Sequence, residues 1–215
     1  MTKPLLLSSR IALLAVALAA CGGPAAAGRI TYTDPDKRSL LSIPDDWHLY
    51  EPADLGDLQE APFVEDYDGL TFPVETAVAF DGSPERNLEN LAIDLVDAAF
   101  PLGLASVRTV GEGERDFLSR AALTQSVVPY LALGQAQEVT KEDFSFGDGF
   151  EGVRVLVAFT DDGGRSVGVA YLISVTDPTD EHLYSVVAGC SRQCFIDHQS
   201  EIEEVVDSWL VNTRG

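Results

Sequence analysis

Val153, Val155, Val157 and Phe159 occupy every second position of one run, and Val167, Val169, Tyr171, Ile173 and Val175 do so in the next. A period of two is that of a strand that sends alternate side chains into a core. Between the runs stands "TDDGGR", where Gly163 and Gly164 supply the positive φ of a tight turn, so the pattern predicts a hairpin. "DPTD" turns the chain again, and residues 183–188 predict a further strand. Residues 105–110 and 136–146 read as strands too. Nearer the start, residues 30–33 and 39–43 flank the turn "DPDK" and predict a hairpin stopped by Pro44, with Trp47 folding back over the core. Val74, Thr76, Val78 and Phe80 alternate within residues 72–82 and predict one more strand.

A helical period appears in between. Ser83 suits an N-cap and Pro84 the first helical position. Leu88, Leu91, Ala92, Leu95, Val96 and Ala99 then form a stripe at helical spacing, which predicts a helix ended by Pro101 and Gly103. Residues 114–128 read as a second helix, interrupted by Pro129. Residues 197–210 read as the last, with Ile202, Val205, Val206 and Trp209 on its apolar face. Glu201, Glu203 and Glu204 are expected near its positive end. Residues 51–70 are polar and punctuated, and read as loop. Hairpin, strand, helices, antiparallel meander, helix is an α+β order: an antiparallel sheet flanked by helices.

The N-terminus changes the picture. Lys3 and Arg10 precede the apolar run "IALLAVALAA", which is shorter than the ~20 residues of a membrane span. A basic start, a short apolar stretch and small residues make residues 1–20 an export signal. "LAAC", Leu18 to Cys21, resembles the bacterial lipobox. That resemblance implies a lipidated Cys21 as the mature N-terminus, tethering the chain to the outer face of a membrane. Residues 21–29 then form the tether and residues 30–213 a single folded domain. The eight residues 22–29 reach at most ~28 Å.

Charge narrows the partners. The chain carries 14 basic and 35 acidic residues, a net −21, and residues 1–20 hold two of the basic ones and no acid. Nucleic-acid binders carry basic patches, so nucleic acid is excluded as a partner. The acidic surface is read as a solvated one that keeps the protein soluble.

Chemistry concentrates in "CSRQCFIDH", where Cys190, Cys194 and His198 recur every four residues. Zinc would find three ligands there, or four with His182, whereas structural sites pair two halves of closer spacing. In an exported chain the thiols join first, so a Cys190–Cys194 disulfide is expected and no metal. A redox role is disfavoured by the spacing of three residues between the thiols. In "VEDYDGLTFPVE", Asp66, Asp68, Gly69 and Glu75 fall at calcium-loop positions, but Val64 occupies the first. The three histidines, His48, His182 and His198, accompany no G-x-S-x-G, H-E-x-x-H or P-loop. Neither an enzyme nor a cofactor is expected.

"LLSIPDDWHLYE" near the start resembles the opening of PsbP-like domains, and "LYSVVAG…EIEEVVDSWLV" their closing strand and helix. The superfamily includes the actinobacterial LpqN/LpqT-type lipoproteins, lipobox-anchored chains of similar size. The resemblance implies a PsbP-like α-β-α sandwich and a binding or accessory role through protein contacts in the cell envelope. The alternative is a carrier holding a lipid or glycolipid between sheet and helices.

Overall fold

The computed structural model describes residues 28–36, 38–55, 74–115, 123, 136–145 and 149–212. The expected export signal of residues 1–20, Cys21 and most of the expected tether, Asp66, Asp68, Gly69 and most of the expected helix 114–128 lie outside them.

Among the described residues the strands are β1 Arg29–Thr33, β2 Ser39–Pro44, β3 His48–Tyr50, β4 Val74–Asp81, β5 Leu102–Thr109, β6 Ala136–Ser145, β7 Glu151–Thr160, β8 Ser166–Thr176, β9 His182–Ser191 and β10 Leu210–Val211. Among them too are the single-turn helices α1 Pro52–Leu55 and α2 Glu112–Arg115 and the long helix α3 Arg192–Ser208. The strands form a sheet of order β1-β2-β10 and a larger one of order β3-β4-β5-β9-β8-β7-β6. Every pairing is antiparallel.

The expected alternation holds on the large sheet. Tyr171, Ile173 and Val175 enter the main core, which α3 and the small sheet cover. Val153, Val155 and Val157 enter a second cluster with Leu172 on the opposite face. Trp47 does fold back, stacking on Phe80 at 6.0 Å between centroids. Phe80 lies across from Gly103, where any Cβ would stand 2.0 Å from its ring, so only glycine fits there.

The helices differ from expectation. Among the described residues α3 alone exceeds five residues, so the fold is two β-sheets with one long helix and not a sheet flanked by helices. The stripe from Leu88 to Ala99 forms no α-helix. Residues Leu88–Ala92 make a 3₁₀ turn, Ile93 is extended, and bends follow. Asparagine, aspartate and serine offer the backbone local bonds that compete with a helix, and this segment is rich in them. Asn87 accepts from the Glu89 N–H, and Asp94 from the Val96 N–H. The Ala98 carbonyl accepts from the Ser191 N–H at 3.0 Å, which binds the end of the segment to β9.

α3 begins at Arg192, one and a half turns before its expected start, and adds Cys194 and Phe195 to the buried face of Ile202, Val205 and Val206. Glu201, Glu203 and Glu204 are therefore not in the first turn, which has no acid, and the Ser191 cap makes no side-chain bond. The Cys190–Cys194 disulfide, with Cα atoms 5.9 Å apart, ties that uncapped end to β9. The glutamates serve packing instead. Tyr171 donates to Glu203 at 2.5 Å, and Arg29 pairs with Glu204 at 3.1 Å. Arg154 lies 4.8 Å over the Tyr171 ring and reaches Asp207. At the far end Ser208 Oγ accepts from the Ser42 N–H at 3.0 Å and shares its one proton between the Val205 carbonyl and the Ser42 carbonyl, the latter at 2.8 Å. Trp209 is buried behind it.

Closing so short a loop stabilises by about 2 kcal/mol in the chain-entropy model. A Cys190→Ser/Cys194→Ser variant should lose about that much in urea titration while remaining folded. A loss near zero would mean that the disulfide does not secure the start of α3.

Candidate functional site

Asp81, the last residue of β4, is fully buried (0% exposed). A buried carboxylate needs donors. Tyr50 of β3 donates to Oδ2 at 2.6 Å, and the Ser83 N–H and Oγ donate to Oδ1 at 2.9 and 2.5 Å. Asn90 reaches Oδ2 at 3.5 Å and donates to Ser83 Oγ at 2.8 Å and the Glu85 carbonyl at 3.2 Å. The Asn87 N–H donates to Tyr50 Oη at 3.1 Å. Ser83 thus serves Asp81 and not a helix N-terminus. Together these bonds hold residues 83–90 as a folded turn against β3.

The turn presents Arg86 and Leu88. The guanidinium of Arg86 lies 4.5 Å over the Tyr50 ring, donates to the Leu49 carbonyl at 2.7 Å and pairs with Asp54 at 3.0 Å. It remains 48% exposed, and Leu88 is 37% exposed. Tyr50, Asp54, Arg86, Asn87 and Leu88 line an open groove of about 320 Å³. A fixed cation beside an exposed apolar side chain and an aromatic floor suits docking of another molecule. Sequence periodicity concealed this site, because it assigned the same residues to a core-facing helix. The Ser83, Asn87 and Asn90 spacing after Asp81 was the available signal.

The other candidate residues do not converge. His48 is on β3, with Nε2 buried and lacking a hydrogen-bond partner. His182 binds Asp177 at 2.8 Å, and His198 binds Glu201 at 2.6 Å on α3. His48 is aligned with Asp81 and Leu102, and His182 with Thr109 at the other end of β5. Seven residues of strand separate those levels by about 23 Å. Burial pushes the Asp177 carboxyl up, but bonds from His182, the Glu181 N–H and Thr179 outweigh it and hold it below its ordinary value. The pair braces the turn between β8 and β9. Cys190 and Cys194 are joined to each other, which leaves His198 without thiolate companions.

No family model matches the chain, and no curated protein does. Solved structures do. The cyanobacterial PsbP protein CyanoP from Synechocystis sp. PCC 6803 superposes with a TM-score of 0.53 at 14% identity, over 91% of this chain and 99% of that one. The fold is PsbP-like. The Ran-binding protein Mog1p of Saccharomyces cerevisiae follows with a TM-score of 0.48 at 9% identity, over 86% of this chain and 96% of that one. A Pseudomonas aeruginosa protein of unknown function gives 0.40 at 11%, over the same shares. The PsbP-like likeness concerns the fold alone. It agrees with the opening and closing segments named above, now seen as β2–β3 and as β9 with α3.

Burial, followed by the bond to Asp81, pushes the Tyr50 phenol well above its ordinary range. Burial and Glu203 push Tyr171 up to about 12. An unfolded phenol ionises near pH 10 while the folded one keeps its proton to higher pH, so stability is lost as pH rises above about 10. Urea titrations at about pH 8 and about pH 11 should show that loss, and Tyr50→Phe should reduce its slope. At neutral pH the same variant should cost about 1–3 kcal/mol, because Asp81 loses a donor. An unchanged alkaline slope would contradict the role given to Tyr50.

Proposed function

We infer that this is a non-enzymatic accessory domain, exported and held at a membrane by lipid on Cys21, that binds an envelope protein through the Arg86–Leu88 turn. The groove carries the reading: its cation, aromatic floor and exposed leucine are held in place by bonds leading back to a buried carboxylate. The described chain begins at Gly28, whose carbonyl accepts from the Asp45 N–H, and Asp45 leads through Trp47 into β3. A tether leaving there keeps the β3 edge within reach of a partner at the membrane. The LpqN/LpqT-type lipoproteins are the family this reading resembles.

The alternative of a lipid carrier gains no support from the described interior. The crevice between the two sheets, lined by Tyr32, Leu41, Val78, Val107 and Trp209 among others, has about 10 Å³. A ligand pocket takes at least ~300 Å³.

A photoreactive residue at position 88 of the full chain, in the native cells, tests the docking. One protein adduct, lost in Arg86→Ala, is expected. Adducts to lipid alone, or adducts indifferent to Arg86, would refute the reading. Cys21→Ser should move the chain out of the membrane fraction, and unchanged fractionation would remove the anchor.

A further inference from the structure

The large sheet ends in two unlike edges. β3 is three residues long, and the Leu49 carbonyl already accepts from Arg86. β6 is ten residues long and pairs with β7, and among the described residues no strand lies on its other side. Its residues from Gln137 through Glu142 are all exposed, Val139 to 55%. An exposed edge is a template for a further strand. Proteins commonly interrupt such edges, and here a register shift falls between Glu138 and Thr140. Beyond it, from Thr140 to Ser145, the strand stays in unbroken register with β7.

Charge selects what can add. Glu138 shares the sheet face of its partner Val157, whereas Glu142 shares the face of Arg154, so each face of the edge offers a carboxylate. Lys141 approaches Asp143 at 4.0 Å. A second copy is disfavoured. Each chain brings a net −21, so two copies of this acidic edge repel.

We propose that β6 is a docking edge for an extended, basic segment of another protein, which joins the sheet as an eighth strand. Backbone bonds along the edge give the affinity, and lysine or arginine three positions apart, hence on opposite faces, meets Glu138 and Glu142. This surface is separate from the groove, because six strand spacings of about 4.8 Å put the two edges roughly 29 Å apart.

The probe is a synthetic peptide of about ten residues, valine with lysine at every third position so that both faces carry a cation, the length of an ordinary long strand. It is added to the full-length chain in detergent, alongside the same peptide N-methylated at every residue, which removes the donors of both its edges. The unmodified peptide should slow amide exchange across residues 137–142. Its N-methylated form, with the same charge but no backbone donors, should bind about tenfold more weakly or worse. Glu138→Lys/Glu142→Lys should weaken the unmodified peptide by about tenfold, since both cross-strand pairs become repulsive. Equal binding of the two peptides would reduce the effect to general attraction by an acidic surface and overturn the proposal. So would absence of binding, protection elsewhere, or a dimer that protects residues 137–142 without peptide.

Discussion

A carboxylate placed where water cannot reach it must be surrounded by donors, and Asp81 meets that demand with Tyr50, the Ser83 backbone and hydroxyl, and Asn90. These donors come from three residues, Tyr50, Ser83 and Asn90. Satisfying Asp81 therefore fixes β3 against β4 and bends residues 83–90 back over the sheet edge. The same bonds leave Arg86 over Tyr50 with its remaining surface turned to solvent. A helix over this stretch would have carried Ser83 and Asn90 away from the acid. The cost of an unsatisfied buried charge exceeds what a few residues of helix propensity return.

The other organising element is α3, which packs on β8 and β9 and against β2. It is held at both ends by bonds that are not helical. At its start the disulfide stands where a capping side chain would be. At its end the Ser208 hydroxyl accepts from the Ser42 N–H, with its one proton shared between the Val205 and Ser42 carbonyls, and β10 then extends the same hairpin. This explains chemically why a serine and an aromatic residue close the helix. The serine locks the exit to β2, and the indole of Trp209 fills the space between the sheets.

Strands were legible where one face is buried, because their period survives any tertiary context. Val153, Val155, Val157 and the Tyr171, Ile173, Val175 set lie where alternation placed them. The Cys190–Cys194 disulfide, expected on the reading of residues 1–20 as an export signal, is present. The stripe Leu88 to Ala99 misled because helical periodicity records only that apolar residues recur. It does not register that Asn87, Asn90 and Asp94 can satisfy the backbone locally, nor that Asp81 recruits Ser83 and Asn90 from outside the stripe. α3 starts earlier than the period of Ile202, Val205, Val206 and Trp209 indicates, because Cys194 and Phe195 form its first buried turn. The groove followed the misread segment and was missed with it.

The groove exists only because residues 83–99 form side-chain-bonded turns and bends in place of a continuous α-helix. Backbone NMR of the folded protein tests this most directly. The predicted result is non-helical Cα shifts from residue 93 onward, with a slowly exchanging Ser83 amide donated to Asp81. A continuous run of helical shifts from residue 84 to residue 99, with a fast-exchanging Ser83 amide, would contradict it.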